Sequence, residues 1–114
     1  MQVFPVFAVA DLDLAVKFYC EKLGFEKTWS FGQPAHRAGV AKDGVEIHLD
    51  AQRAGAPPGP SVVYFHMDDA AAYYRELQSR GVSFVLELED RPWGMRDFRV
   101  MDPFGNRLGF ASKL

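Results

Sequence analysis

Two short segments carry the side chains best suited to chemistry. Glu46, His48 and Asp50 alternate with apolar residues in the first segment, and Tyr64 and His66 do so in the second. Because successive side chains of a β-strand point to opposite sides, each set shares one face of its strand. Two histidines placed across one substrate could act as general acid and general base. A histidine can also form a hydrogen-bonding wall of a binding site, and we predict that role for both.

The polar neighbours of these histidines also fit ligand binding. Tyr64 offers a ring and a hydroxyl to a ligand, or packs against its neighbours. Glu46 and Asp50 could balance a cationic ligand, although alternating charge on an exposed strand gives the same pattern. Arg96 and Arg99 could receive an anionic group or remain solvated surface residues. The residue types therefore favour binding over any defined reaction.

Motifs of well-defined catalytic sites are absent. The sequence has no phosphate-cradling glycine loop, no Cys-x-x-Cys pair, no His-Glu-x-x-His helix and no serine nucleophile elbow. A length of 114 residues fits one domain. The net charge of -2 gives no reason to expect a nucleic acid or an anionic membrane as partner.

The cysteine content and the opening residues favour the cytoplasm. Cys20 is the single cysteine, so no internal disulfide can form. No run of 18 apolar residues occurs, and no charged segment followed by an apolar one opens the chain. We therefore expect a cytoplasmic protein.

The elements that must position these residues repeat along the chain. Each half begins with an alternating apolar segment, residues 4–9 and 62–67, and continues with helical spacing that stops at Gly24 and Gly81. Three extended segments follow in each half. They are residues 26–31, 36–41 and 45–50, and then residues 84–88, 98–101 and 107–111. Both halves therefore predict a βαβββ order within an α+β fold.

Turn and linker sequences separate these elements. Lys42-Asp43-Gly44 and Asp102-Pro103-Phe104-Gly105-Asn106 are strong turn sequences before the last strand of each half. The glycines and prolines of residues 51–60 suit neither helix nor strand. We therefore expect one domain, residues 1–114, with repeat one at 1–50, a linker at 51–60 and repeat two at 61–114.

The two-residue period of the strands predicts which side chains share a face. Apolar residues such as Ile47 and Phe65 are expected to pack on a helix. The opposite face then gathers Glu46, His48 and Asp50, Val62, Tyr64 and His66, and Arg107, Gly109 and Ala111. A curled sheet with this lining is a concave site of the kind that binds small molecules.

Motifs near both ends of the chain carry a resemblance to a known family. They are Phe4-Pro5-Val6-Phe7 with Asp11-Leu12, Phe18-Tyr19, Leu23-Gly24-Phe25, Pro92-Trp93-Gly94 and the turn at 102–106. In combination they resemble the glyoxalase and bleomycin-resistance proteins of the vicinal-oxygen-chelate superfamily. The resemblance spans nearly the whole chain. It implies paired βαβββ modules, a cupped mixed sheet and usually a homodimer whose clefts can be shared between subunits.

The resemblance also implies where enzymes of this superfamily hold a divalent metal. The corresponding positions here carry Phe4, His48, Val62 and Gly109. Phenylalanine and valine have no lone pair to donate, and glycine has no side chain. One imidazole cannot fix a catalytic divalent metal, because such sites need about three protein ligands. We therefore expect neither a metal nor another cofactor.

A ligand contact at Trp93 is implied by the same resemblance, in which this tryptophan forms one wall of the drug cleft. The alternative is a loop anchor on the sheet edge. Trp29 and Arg37 belong to strands that face the cup in relatives, although Trp29 also suits the core or a dimer interface. The predicted ligand-binding residues are Phe4, Trp29, Arg37, Glu46, His48, Val62, Tyr64, His66, Trp93 and Arg99. No residue is predicted to be catalytic.

These expectations favour a protein that sequesters a small, partly aromatic molecule of the antibiotic type, with bleomycin as the family's known example. One alternative is an enzyme of the same fold that uses His48 or His66 as acid or base, or an unrecognised metal site. Another is a module that only dimerises and has a filled cup.

Overall fold

The computed structural model describes residues 1–51 and 58–114. Most of the predicted linker, residues 52–57, lies outside the described residues. The chain forms two compact units, of which the first is Met1–Ser61 with Asp102–Asn106 and the second is Val62–Met101 with Arg107–Leu114. Each unit contains a four-stranded mixed sheet and a helix. This is the predicted α+β fold of two βαβββ repeats.

The first unit contains the first repeat. Its elements are β1 (Val6–Ala8), α1 (Leu12–Lys17), β2 (Glu26–Gly32), β3 (Ala35–Lys42) and β4 (Val45–Asp50). The strand order is β1-β4-β3-β2, with β1 parallel to β4 and the other pairs antiparallel. The predicted hairpin between β3 and β4 turns at Asp43 and Gly44, which have φ angles of 51° and 80°. Two successive positive φ angles are typical of a tight two-residue hairpin.

The second unit repeats this order. Its elements are β5 (Val62–His66), α2 (Ala70–Ser79), β6 (Phe84–Asp90), β7 (Met95–Met101) and β8 (Arg107–Lys113). The strand order is β5-β8-β7-β6, with β5 parallel to β8. Strand β7 begins at Met95, earlier than the predicted segment 98–101. The prediction began too late because Arg96 and Asp97 interrupt the apolar pattern, although both lie within the strand.

Both helices begin at an aspartate. Asp11 accepts a hydrogen bond from the backbone N–H of Leu14 at 3.0 Å, and Asp69 accepts one from Ala72 at 3.0 Å. Such N-caps satisfy N–H groups that have no partner within the helix. Among the described residues, neither helix has the length and apolar character needed to span a membrane.

The first helix ends differently from the sequence expectation. After Lys17 it continues as a π-helical segment, Phe18–Lys22, which the apolar spacing did not predict. The chain then leaves the helix at Gly24, whose φ angle of 79° confirms the predicted glycine stop. This extra segment keeps Tyr19 fully buried in the core of the first unit.

One face of each sheet packs on the helix of its own unit. In the first sheet, Ile47 and Leu49 are fully buried on this face, as the alternation predicts. In the second, the rings of Phe98 and Phe110 stack with centroids 5.4 Å apart, and Tyr73 from α2 meets Phe110 edge-on. The core of each unit therefore occupies one side of its sheet. We call the opposite side the free face.

The turn Asp102–Asn106 is bound to the core of the first unit. Its Asp102 carboxylate accepts hydrogen bonds from the Tyr19 hydroxyl and the Asn106 amide, both at 2.9 Å, and from the backbone N–H of Phe104 at 2.8 Å. The Asn106 amide also donates to the Ala8 carbonyl at 3.2 Å. Because Asp102 and Asn106 are buried, this turn serves the fold.

Candidate ligand-binding site

The free face of the first sheet carries an aromatic group centred on His48. The ring of Phe4 stacks on the His48 imidazole with centroids 4.8 Å apart and an interplanar angle of 13°. The indole of Trp29 meets the same imidazole edge-on at 5.0 Å. Phe4 remains 40% exposed, so part of this aromatic group is open to a ligand.

Polar groups fix the orientation of these rings. The Glu46 carboxylate accepts hydrogen bonds from His48 Nε2 at 2.8 Å, from Trp29 Nε1 at 3.4 Å and from the Thr28 hydroxyl at 3.1 Å. The second ring nitrogen of His48 lies 3.4 Å from a guanidinium nitrogen of Arg37. These contacts fit an imidazole that donates from Nε2 and accepts at Nδ1. Both ring nitrogens of His48 therefore lie against protein groups.

The charges on this face are paired. The hydrogen bond from His48 is the largest influence on Glu46 and lowers the pKa of its carboxyl, more than partial burial raises it. The hydrogen bonds from Trp29 and Thr28 lower that pKa further. Arg37 also lies 3.5 Å from the Asp50 carboxylate. Glu46 is therefore a charged acceptor at neutral pH, and its partners are already in place.

Two residues that the sequence analysis did not single out complete the first group. Thr28 binds Glu46 and carries no pattern that would have identified it. Gly39 pairs with both Trp29 and His48 in the sheet. A Cβ added at Gly39 would lie 2.2 Å from Trp29 Nε1, so only glycine admits the indole. A glycine inside a strand marks such close approaches and was an available signal.

The free face of the second sheet carries a different polar group. The Tyr64 hydroxyl donates to the Asp97 carboxylate at 2.6 Å, and Arg91 Nε donates to the other oxygen of that carboxylate at 2.7 Å. Trp93 contributes to lowering the pKa of Tyr64 and is 62% exposed. The ring of His66 meets that of Tyr64 edge-on at 5.5 Å.

Ionisation at this group is set by burial and by its hydrogen bonds. Burial raises the pKa of Asp97, but the hydrogen bonds from Tyr64 and Arg91 lower it more, so the net pKa lies below the ordinary value. Burial and the bond to Asp97 raise the pKa of Tyr64. Tyr64 is therefore held as a protonated donor. Asp97 was missed because the interrupted apolar pattern concealed the start of β7. Arg91 precedes that strand, and no sequence pattern singled it out.

Tyr64 and Arg99 fill the space beside Gly109. A Cβ at Gly109 would lie 2.7 Å from a ring carbon of Tyr64 and 3.6 Å from Cγ of Arg99. The guanidinium carbon of Arg99 lies 5.9 Å from the centroid of the Tyr64 ring, within the range of a cation–π contact.

The predicted ligand-binding residues thus fall into two groups. Phe4, Trp29, Arg37, Glu46 and His48 meet on the free face of the first sheet, and Tyr64, His66, Trp93 and Arg99 belong to the second unit. Val62 lies on the same face of β5 as Tyr64 and is 67% exposed. Next to these residues, His66 lines a cleft of about 360 Å³ together with Met95 and Lys113. That volume suits a small ligand.

The metal site of the superfamily enzymes does not fit these residues. Within residues 1–51 and 58–114, no three His, Cys, Asp or Glu side chains are grouped as metal ligands would be. The Phe4 ring stacks on His48, Val62 presents an apolar surface, and the Tyr64 ring crowds Gly109. Both nitrogens of His48 are engaged by protein groups.

Paired βαβββ repeats whose free faces carry aromatic and polar groups define a glyoxalase-type class of protein. The model of the Glyoxalase/Bleomycin resistance protein/Dioxygenase superfamily matches residues 3–110, and the chain belongs to this superfamily.

Named relatives are similar over their full length. The bleomycin resistance proteins of Geobacillus stearothermophilus and Staphylococcus aureus are 26% identical over 135 aligned positions, which cover 100% of this chain and 98% of each relative. A glyoxalase/bleomycin resistance protein from Streptomyces sp. CB03234 is 29% identical, with a TM-score of 0.81 over 96% of this chain and 98% of that one. The bleomycin-binding protein of Streptomyces verticillus, solved with copper(II)-bleomycin, is 26% identical, with a TM-score of 0.77 over 100% and 97%.

Proposed function

We propose that the protein binds a small, partly aromatic molecule of the antibiotic type and sequesters it, without a metal and without changing it chemically. One observation carries this proposal. The positions at which superfamily enzymes hold their metal have Phe4, Val62 and Gly109, and the remaining one has His48 with both ring nitrogens engaged. What the two free faces offer instead is rings and fixed polar groups, which suit recognition.

Bleomycin is the first ligand to test, because relatives that match over their full length are bleomycin resistance and bleomycin-binding proteins. Trp93 is the residue we assign to stacking on a planar group of the drug, since its indole is exposed. An offset aromatic pair adds about 0.5–1.5 kcal/mol beyond the burial of area. The proposal includes a homodimer in the cytoplasm.

Titration of the protein with bleomycin tests the proposal. We expect saturable quenching of tryptophan fluorescence at micromolar drug or below. Trp93→Ala removes the stacking surface and one of the two tryptophans, so its affinity is measured by calorimetry, with an expected loss of about three- to tenfold. Leu114→Ala, a change at an exposed terminal residue, serves as the control. A flat titration at millimolar drug would exclude bleomycin as the ligand.

The enzyme alternative rests on His66, which is exposed and lines the cleft. Two measurements separate it from sequestration. Metal analysis of the purified protein is expected to find no stoichiometric nickel, zinc, manganese or iron. Bleomycin released from the complex is expected to have an unchanged mass. A stoichiometric metal or a modified drug would favour the enzyme.

A further inference from the structure

Two arginines lie on the free face of the second sheet beside Gly109. Arg99 is paired with Gly109 across the ladder between β7 and β8, and Met101 is paired with Arg107. Side chains of paired residues share a face, and residues two positions apart along a strand do so as well. Arg99 and Arg107 are therefore diagonal neighbours on the free face, with the Tyr64 ring lying over Gly109 beside them.

The protein compensates these charges only in part, since the charge of Arg99 contributes to lowering the pKa of Asp97. Within the described parts of the chain, the guanidinium of Arg99 forms no ion pair, and its buried Nε has no hydrogen-bond partner. Arg107 is exposed, and no described carboxylate pairs with it. A buried N–H without an acceptor is unfavourable. Because this Nε is closed to solvent, a group outside the chain would contact the partly exposed remainder of the Arg99 side chain.

The acidic residues near Arg99 already have partners. One oxygen of Asp97 accepts from Tyr64 and the other accepts from Arg91. Glu89 also pairs with Arg91, at 3.0 Å. Arg91 is therefore compensated by two carboxylates, whereas within residues 1–51 and 58–114 no carboxylate forms an ion pair with Arg99 or Arg107.

We propose that Arg99 and Arg107 bind an anionic oxygen group of the ligand, of the carboxylate, sulfonate or phosphate class, while an attached planar ring lies against Tyr64 and Trp93. This inference rests on the proposed function, because it names the ligand chemistry of the same face. A guanidinium presents its donors in a planar fork that matches two oxygens of such a group. The two cations flank Gly109, so they supply positive charge at a position where superfamily enzymes have a metal ligand.

A matched pair of probes tests the charge requirement. 1-Naphthoate and 1-naphthamide share their ring system and differ in one negative charge. We expect calorimetry to give about a tenfold preference of the native protein for the acid, because hydrogen bonds to charged groups are the stronger ones. We expect Arg99→Gln and Arg107→Gln each to reduce this preference, and the double variant to abolish it, because the affinity for the acid falls more than the affinity for the amide.

A control arginine is available on the same strand. Arg96 lies on β7, two of its nitrogens bind Asp90, and it is paired in the ladder with Ser112, so Arg96→Gln should keep the preference for the acid. Arg99→Lys should keep part of it, since the charge remains but the fork is lost. High salt should weaken binding of the acid more than that of the amide.

The outcomes separate this inference from the proposed function. Equal affinity for acid and amide, a preference that survives in the double variant, or no binding of naphthoate at millimolar concentration would each overturn the inference. If bleomycin nevertheless bound, the proposed function would stand without the inference about Arg99 and Arg107. An acid preference that depends on Arg99, in a protein that fails to bind bleomycin, would support the anionic site and exclude that drug.

Discussion

At the scale of single residues, His48 shows how neighbours define what a side chain can do. On sequence alone it fits a wall residue, an acid or base, and one ligand of a metal. Its contacts with Glu46 and Arg37 use both ring nitrogens, and Phe4 covers one face of the ring. These contacts favour the wall role, since both ring nitrogens already contact protein groups.

Glu46 gives a prediction at this scale. Its folded-state pKa lies below the ordinary 4.5, so its contribution to stability is present above that value and is lost as the pH falls through the lowered pKa. Glu46→Gln should therefore be less stable than the native protein at pH 7, and the difference should shrink below pH 4.5. Urea unfolding across this range provides the measurement.

The exposed Glu26, at the start of β2, is the matched control, because Glu26→Gln should leave the dependence of the unfolding free energy on pH the same as in the native protein. If the Glu46→Gln variant differed from the native protein equally at pH 7 and in acid, the assigned role of the carboxylate would be wrong.

At the scale of elements, patterns local in sequence predicted the strands well. The alternation in β4 places Ile47 and Leu49 in the core and leaves Glu46 and His48 on the free face. The turn at Asp43 and Gly44 adopts the positive φ angles that its sequence indicates. Both features depend on residues close together in the chain, so the sequence displays them directly.

Other features depend on partners far apart and could not be predicted. Tyr19 and Asp102 are 83 positions apart, and no local sequence pattern near either residue predicts their hydrogen bond. The π-helical segment after Lys17 likewise depends on packing that no spacing rule describes. In the candidate site, the residue types were predicted, but the roles of Thr28, Arg91 and Asp97 became visible only through their contacts.

The turn Asp102–Asn106 gives a prediction for an element. Asn106→Ala would leave the Ala8 carbonyl without the donor, and the Ser61 N–H without the acceptor, that the amide supplies. Loss of buried hydrogen bonds costs about 1–3 kcal/mol, and we expect the free energy of unfolding to fall by this amount. Urea denaturation measures it.

An exposed helical residue supplies the comparison for this variant. Gln78→Ala in α2 should change the free energy of unfolding by no more than about 0.5 kcal/mol. An Asn106→Ala protein as stable as this control would show that the turn does not anchor the first unit.

At the scale of the whole molecule, we propose that residues 1–114 unfold as one domain. The first unit includes the turn Asp102–Asn106, which belongs by sequence to the second repeat. Unfolding of the second repeat would therefore remove part of the first unit. Trp29 and Trp93 lie in different units, and the variants Trp29→Phe and Trp93→Phe each keep one reporter. We expect both variants to report a single urea transition when the fluorescence and the circular dichroism of each are compared.

Two separate transitions in either variant would contradict this expectation. A shift of the fluorescence and the circular dichroism to one new midpoint would not contradict it, since a substitution can change the stability while the unfolding stays cooperative.

The assembly state is a further prediction for the whole molecule. We expect a homodimer in solution, because the resemblance to the family implies one. Sedimentation equilibrium should give about twice the chain mass of 12.8 kDa. A monomer at all concentrations up to the high micromolar range would contradict that expectation and would require a ligand site built from one chain.

The turn that closes the last hairpin also limits how the gene can be recombined. A crossover between two relatives inside residues 52–57 would join Tyr19 from one parent to Asp102 and Asn106 from the other. Progeny would inherit a matched set only if both parents had the same three residues. Shuffling at the boundary between repeats would therefore exchange binding faces freely only among relatives that also keep this anchor.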